Sequence, residues 1–137
     1  MESTVRVYTD MCCDLCHYGH FKFIDNLHSS VQSKYKTSRI VIIVGIHNDH
    51  TVESYKRKPI QTMDERIKLI LYHPFVDIVV SDAPLHVTNE YLATLSIDHC
   101  GVGVRPIEQM ELMYGAIDVP VTMIPYTTGI STTDIID

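Results

Sequence analysis

Residues 39–46 read Arg-Ile-Val-Ile-Ile-Val-Gly-Ile, a β-branched run in which polar and apolar positions do not alternate. A strand with one wet face alternates. A run apolar on both faces belongs inside a parallel sheet, with helices above and below it. The rest of the chain fits that demand. Val5–Tyr8, Val76–Val80, Ile97–Val104 and Val121–Ile124 are further apolar stretches of strand length. Helical patterns lie between them. One runs from Gly19 to about Ser30, with Phe21, Phe23, Ile24 and Leu27 on its apolar side. A second opens at Thr62, which forms a capping box with Glu65, and is closed by Pro74. A short helix is expected from Thr88 to Leu95, another over Glu108–Ile117, and Ser131 or Thr132 would cap a last one. Residues 29–38 read as a polar loop. This alternation predicts an α/β fold: a doubly wound, Rossmann-like, five-stranded parallel sheet with helices on both faces. Without a linker, repeat or low-complexity stretch, residues 1–137 are expected to form one domain.

Ligands of such sheets bind beyond the carboxyl ends of the strands. Three polar segments are expected there: His17-Tyr18-Gly19-His20 after the first strand, His47-Asn48-Asp49 after the second, and Thr127–Thr133 after the last. The first is an H-x-G-H pattern at a strand-to-helix turn. Two imidazoles three residues apart share a helix face, free N–H groups at the helix start favour an anion, and Gly19 lets a phosphate approach the backbone. The structural alternative is that one histidine caps the helix and the other packs in the core. In Tyr126-Thr127-Thr128-Gly129-Ile130-Ser131-Thr132-Thr133 the hydroxyls and backbone N–H groups suit a polyphosphate cradle. A basic loop, Lys56-Arg57-Lys58-Pro59, precedes Thr62 and could fold over the sheet edge to neutralise charge. No Walker A pattern and no G-x-S-x-G elbow is present, and Gly101-x-Gly103 lacks the rest of a dinucleotide fingerprint. His28, His73, His86 and His99 are read as surface or core residues.

Charge and cysteine usage narrow the class. A net charge of −6 opposes general binding to nucleic acid or to an anionic membrane. No apolar run reaches the about 18 residues of a membrane span, and Met1-Glu2-Ser3-Thr4 lacks a signal-peptide pattern. The expected setting is therefore cytoplasmic, without a stable membrane anchor or a nucleic-acid partner. Cys12, Cys13 and Cys16 crowd one turn, with Cys100 apart. In that setting they are read as thiols filling space around the turn. Cys13-x-x-Cys16 followed by His17 and His20 also permits a metal reading. No second ligand pair lies at zinc-knuckle spacing, so no metal ligands are assigned.

With H-x-G-H, the lysine loop and Gly129-Ile130-Ser131-Thr132-Thr133 in this order, the chain resembles the cytidylyltransferase family from Val5 to Ile136. Tyr55–Pro59, Asp64-Glu65-Arg66 and Asp82-Ala83-Pro84 look like its phosphocholine and phosphoethanolamine branch, and the segment from Asp10 to His20 looks most like the ethanolamine enzymes. The resemblance implies transfer of CMP from CTP to a phosphorylated amino alcohol, foremost phosphoethanolamine, with pyrophosphate as the other product. It implies that His17, His20 and Lys56 stabilise charge at the α-phosphorus. Cys13, Gly19, Thr127, Gly129, Ile130, Ser131, Thr132 and Thr133 would hold the nucleotide and its phosphates. Asp10 and Lys58 would meet the acceptor, Mg²⁺ would travel with the triphosphate, and the enzyme would be a homodimer. A stand-alone catalytic domain in phospholipid-precursor synthesis is the expectation.

The chain departs from the family pattern in places. Met11 stands where the family has a glycine, and Tyr126 replaces the arginine that opens the R-T-E-G signature. Losing a phosphate clamp would cost about 2–4 kcal/mol of transition-state binding. Pro74 replaces another arginine, and Val102-Gly103-Val104-Arg105 replaces H-x-D-D near the nucleotide, with Arg105 as a candidate substitute cation. Leu85 stands where choline enzymes carry tryptophan, and the chain has no tryptophan, which weakens any aromatic cage for a quaternary ammonium. These changes leave open other acceptors (phosphocholine, glycerol 3-phosphate), another base, or a nucleotide-binding protein weakened in catalysis.

Overall fold

The computed structural model describes residues 3–125. Five strands alternate with helices: β1 (Thr4–Met11), α1 (Tyr18–Lys34), β2 (Arg39–Ile46), α2 (Asp49–Tyr55), α3 (Met63–Ile70), β3 (Val76–Val80), α4 (Asn89–Thr94), β4 (His99–Gly103), α5 (Ile107–Tyr114) and β5 (Val121–Ile124). All strand pairs are parallel, in the order β3-β2-β1-β4-β5. β1 and β2 run in register from Thr4↔Arg39 to Met11↔Ile46. The chain steps from β1 to β2 and β3 on one side and returns to β4 and β5 on the other. The switch point therefore lies at the carboxyl end of β1, where the H-x-G-H turn begins.

The β2 run behaves as its sequence requires. Seven of its positions, Ile40 to Ile46, are buried. Ile40, Ile42, Val44 and Ile46 join Val5 and Val7 against α1 (Phe23, Ile24, Leu27, Val31) and Ile70 of α3. Val41 and Ile43 face the opposite way, into a second cluster with Tyr8, Leu92 of α4, and Met113 and Tyr114 of α5. Helices thus cover both faces, as expected.

Two helical features differ from the sequence reading. α1 runs to Lys34 and takes up most of the predicted polar loop at 29–38. Ser29, Ser30 and Ser33 lie on its exposed side, while Val31, four residues after Leu27, continues the buried stripe. Gln32 closes the helix by donating from Nε2 to the carbonyls of Tyr35 (3.1 Å) and Ser38 (3.0 Å). The unforeseen α2 begins where the Asn48 side chain accepts the Thr51 N–H at 2.7 Å. It buries Val52 alone, too little for an apolar period to show. The α3 capping box forms as predicted, with Thr62 and Glu65 bonded reciprocally.

Candidate active site

The turn after β1 delivers both histidines to the N-terminus of α1. His17 is the N-cap in extended backbone, and its Nδ1 accepts the Gly19 N–H at 3.0 Å. Its own N–H donates to His20 Nδ1 at 3.1 Å, so the two imidazoles complete a capping box in which histidine replaces the usual hydroxyl and carboxyl groups. Capping, one half of the alternative read from sequence, is thus realised, and by both residues at once; neither imidazole joins the buried core. Their ring centroids lie 4.3 Å apart. Burial, reinforced by the neighbouring His17 ring and the positive charge of Lys56, lowers the pKa of His20 from 6.5 to about 4. At neutral pH His20 is uncharged, which its role as acceptor from the His17 N–H requires.

Asp14, in the same turn, fixes the basic loop against it. One carboxylate oxygen accepts from Arg57 Nη1 (3.0 Å) and the Ile60 N–H (2.9 Å), and the other from the Gln61 N–H (2.9 Å). Burial alone would raise its pKa. The bonds from Ile60, Gln61 and Arg57 outweigh it, and the carboxyl is held below its ordinary value. The Leu15 N–H donates to Gln61 Oε1 at 2.8 Å. The loop expected to fold over the sheet edge is therefore pinned to the histidine turn. Lys56 is its exposed first residue, and its charge reaches His20. Lys58 is exposed, its carbonyl accepting from Arg57 Nη1 at 3.3 Å. Arg57 Nη2 is enclosed with no partner among the described residues, an unmet donor beside the site.

Asp10, near the end of β1, is buried at 7% exposure. It accepts from the Tyr114 hydroxyl through Oδ1, and its Oδ2 lies 3.4 Å from His47 Nε2. His47 Nδ1 bonds the Tyr55 hydroxyl at 2.7 Å. Burial, then the Asp10 charge, pushes the Tyr114 phenol well above its ordinary pKa, so it stays a donor. Arg105, the candidate substitute cation, donates to the Gly103 carbonyl (3.4 Å) and to Met113 Sδ (3.2 Å), and its charge partly opposes the upward shift of the Tyr55 and Tyr114 phenols.

The cysteines correct the expectation of free thiols. Cys13 and Cys16 are joined as a disulfide, and among the described residues Cys12 and Cys100 are free. The turn brings their Cα atoms to 4.8 Å, inside the range a disulfide needs. It does so by holding Cys13 (φ 56°) and Leu15 (φ 49°) in the left-handed region, which their residue types do not announce. Cys13, read as a nucleotide contact, is fully buried against the α1 core. Tyr126, Thr127, Gly129, Ile130, Ser131, Thr132 and Thr133 lie outside the described residues.

Arg66 is the residue that sequence reasoning undervalued. It is fully buried, and donates to the Cys12 carbonyl (2.7 Å), the Gln61 carbonyl (3.3 Å) and Asp49 Oδ1 (2.7 Å). It therefore ties the histidine turn, the basic loop and α2 together. A signal existed: Arg66 falls at helical spacing between Met63 and Ile70, on the buried face of α3.

Fold and site together define a doubly wound α/β protein with imidazoles, cations and a helix N-terminus gathered at its switch point. A family model described as cytidylyltransferase-like matches residues 8–137, and the chain belongs to this family. It is 29% identical over 139 residues to the ethanolamine-phosphate cytidylyltransferase of Dictyostelium discoideum, covering 98% of this chain and 36% of that protein. It is 32% identical over 139 residues to choline-phosphate cytidylyltransferase A of Homo sapiens, again covering 98% of this chain and 36% of that protein. The chain thus spans about a third of the length of these relatives. In fold it resembles the crystal structure of a lipopolysaccharide core biosynthesis protein from Thermoplasma volcanium, with a TM-score of 0.63 at 17% identity, covering 90% of this chain and 96% of the other. Among the described residues, no helix is long and apolar enough to cross a membrane.

Proposed function

We propose that this chain transfers CMP from CTP to a phosphorylated amino alcohol, foremost phosphoethanolamine, to give a CDP-alcohol and pyrophosphate. The observation that carries the reading is the histidine capping box with Lys56 and, beside it, the Arg57 donor that is unmet among the described residues. Neutral imidazoles, a helix N-terminus and cations meet there at the carboxyl end of β1. In the proposed step a phosphate oxygen of the acceptor attacks the α-phosphorus of CTP. The new P–O bond forms as the α–β P–O bond breaks, and pyrophosphate leaves with the electron pair. His17 and His20 donate to phosphate oxygens and Lys56 neutralises the charge that develops. Such chemistry asks the protein for position and electrostatics rather than for a nucleophile. Thr127, Gly129, Ile130, Ser131, Thr132 and Thr133 are proposed to hold the β and γ phosphates, with Gly19 leaving room at the helix start.

Mg²⁺ is proposed to enter as part of the CTP complex. The one group of three His, Cys, Asp or Glu ligands among the described residues is Cys13, Cys16 and His20, too soft a set for a cation that wants oxygen. The buried carboxylate of Asp10 suits a primary ammonium, and the lack of tryptophan favours ethanolamine over choline. A cytoplasmic homodimer in phospholipid-precursor synthesis completes the proposal.

The test is pyrophosphate release with Mg²⁺ and CTP, offering phosphoethanolamine, phosphocholine and glycerol 3-phosphate in turn. Release with phosphoethanolamine at the highest kcat/KM is expected. Release only with another acceptor replaces the substrate. A CTP-induced rise in Tm without release from any acceptor replaces catalysis with nucleotide binding.

A further inference from the structure

The turn that supplies the catalytic histidines also brings together two sulfurs and an imidazole nitrogen. Ligand atoms of Cys13, Cys16 and His20 all lie within 4.8 Å of one another. The turn is built rather than loose. Asp14, between the two cysteines, is held by the N–H groups of Ile60 and Gln61, and Arg66 holds the Cys12 carbonyl. Two thiolates and an imidazole form a soft-to-borderline donor set, suited to a zinc-class divalent ion and poorly suited to Mg²⁺ or Ca²⁺. Three protein ligands leave the fourth tetrahedral position to water or a substrate oxygen.

We propose that the dithiol form of this turn binds a zinc-class divalent cation through Cys13, Cys16 and His20, so that disulfide and metal are alternative states of one site. Entry to the dithiol form requires two electrons and two protons from a thiol reductant. The S–S bond breaks, each sulfur takes a proton, and two molecules of the reductant leave as their own disulfide. Metal binding then releases the two thiol protons. A reducing cytosol would favour the dithiol.

The site is coupled to the histidine capping box by simple accounting of lone pairs. Neutral imidazole has a single acceptor nitrogen, and that of His20 is engaged by the His17 N–H at 3.1 Å. A metal must either displace that N–H from Nδ1 or force His20 into the other tautomer, with the proton on Nδ1 and the metal on Nε2. Either route breaks the capping bond that orients His17 and His20, and the second also takes the Nε2 that would donate to the phosphates. The bound metal is therefore an inhibitor. This consequence rests on the proposed cytidylyl transfer, whereas metal binding itself does not.

Co²⁺ reports such a site directly, because thiolate ligation gives a charge-transfer band and tetrahedral geometry gives intense d–d bands. The full chain is reduced, freed of reductant under anaerobic conditions and titrated with Co²⁺. Expected are both signals, saturating at one equivalent and displaced by Zn²⁺. They are lost in Cys16→Ser and in the oxidised protein, kept in Cys12→Ser, and altered in the d–d region in His20→Gln. Cys16 is only half-buried, so its serine variant spares the core packing of Cys13. No thiolate band at one equivalent, or a band that survives in Cys16→Ser, overturns the proposal. An unchanged d–d spectrum in His20→Gln removes His20 from it. In a second arm, one equivalent of Zn²⁺ suppresses pyrophosphate release by the reduced wild type and not by Cys16→Ser. Equal suppression of both overturns the inhibitory coupling. A protein that binds Co²⁺ as expected but never releases pyrophosphate refutes the proposed function and leaves the metal site standing.

Discussion

Arg66 Nη1 donates to the backbone carbonyl of Cys12 at 2.7 Å, across 54 residues of sequence. This bond fixes the place of the histidine turn, because Cys12 is the first residue beyond β1 and His17 opens α1. The same guanidinium reaches the Gln61 carbonyl and Asp49, so one fully buried cation sets the spacing of three segments that border the site.

Arg66→Leu is expected to lower stability by about 3 kcal/mol, read as a fall in the urea midpoint. It leaves the Cys12 and Gln61 carbonyls without their donor and removes a buried charge from its partners. Asp49→Asn is expected to change stability by less than about 1 kcal/mol, because the Asp49 side chain is half exposed at 50%. If the two variants cost the same, the ion pair rather than the carbonyl clamp is the important element.

Asp14→Asn should damage both stability and catalysis. The wild-type carboxylate presents acceptors to the N–H groups of Ile60 and Gln61 and to Arg57. An amide has to turn its NH₂ toward at least one of these donors, at a cost of about 1–3 kcal/mol. The loop that carries Lys56 then loses its anchor, and kcat/KM for CTP is expected to fall about tenfold to a hundredfold. Because the native carboxyl is held below its ordinary pKa, its stabilisation is present above the unfolded value. It is lost as pH falls through the lower folded one. The variant should therefore show the weaker acid dependence in urea melts.

What the sequence disclosed followed burial. The β2 run had to lie in a parallel sheet because no one-sided strand accommodates Ile40 to Ile46, and the N-cap at Thr62 carried its own local signal in Glu65. α2 gave no such signal, since a seven-residue helix that buries only Val52 has no period to detect. The far end of α1 was hidden by three serines that point to water beside a buried Val31. At the site, His17 and His20 were legible from H-x-G-H. The fastening by Asp14 and Arg66 was not, because its partners are backbone groups 46, 47 and 54 residues away. The Cys13–Cys16 pairing depended on left-handed backbone at Cys13 and Leu15, non-glycine residues that rarely adopt it.

His20 should make stability depend on pH in a defined window. Its folded pKa of about 4 lies below the ordinary 6.5, so between these values the unfolded chain binds the extra proton. Stability attributable to this group therefore falls as pH is lowered from 6.5 toward 4, by about 3 kcal/mol across the window. Gln in place of His20 keeps a carbonyl acceptor for the His17 N–H and does not titrate. In metal-free buffer the difference in unfolding free energy between wild type and His20→Gln should change with pH in this sense. A constant difference would show that His20 does not carry the dependence.

Gly45→Ala probes the close approach between β2 and the tyrosine layer. A Cβ at residue 45 would lie 2.3 Å from the Tyr8 hydroxyl oxygen and 2.8 Å from the Ala83 Cβ. Tyr8 is fully buried and bonded to the Tyr91 hydroxyl at 3.1 Å, so it has little room to retreat. A loss of about 1–3 kcal/mol is expected, read as a lower Tm. The double variant Gly45→Ala with Tyr8→Phe should recover part of the loss by removing the atom met first.

Asp10→Asn separates the acceptor from the nucleotide. The carboxylate is buried, yet among the described residues Tyr114 and His47 engage only part of its capacity, since an ionised carboxylate offers about four lone-pair sites. The remaining lone pairs suit the ammonium of a phosphorylated amino alcohol, where a charged partner contributes about 1.5–3 kcal/mol to the bond. Asn keeps the size and one acceptor but removes the charge. KM for phosphoethanolamine is therefore expected to rise about tenfold to a hundredfold, while KM for CTP moves little. Tyr114→Phe is the control for simple disruption: it withdraws the phenol from Oδ1 and leaves the charge in place. If both variants raise the two KM values together, Asp10 is holding the fold of the pocket. If only Asp10→Asn raises KM, and only for the acceptor, its negative charge is what selects the amine.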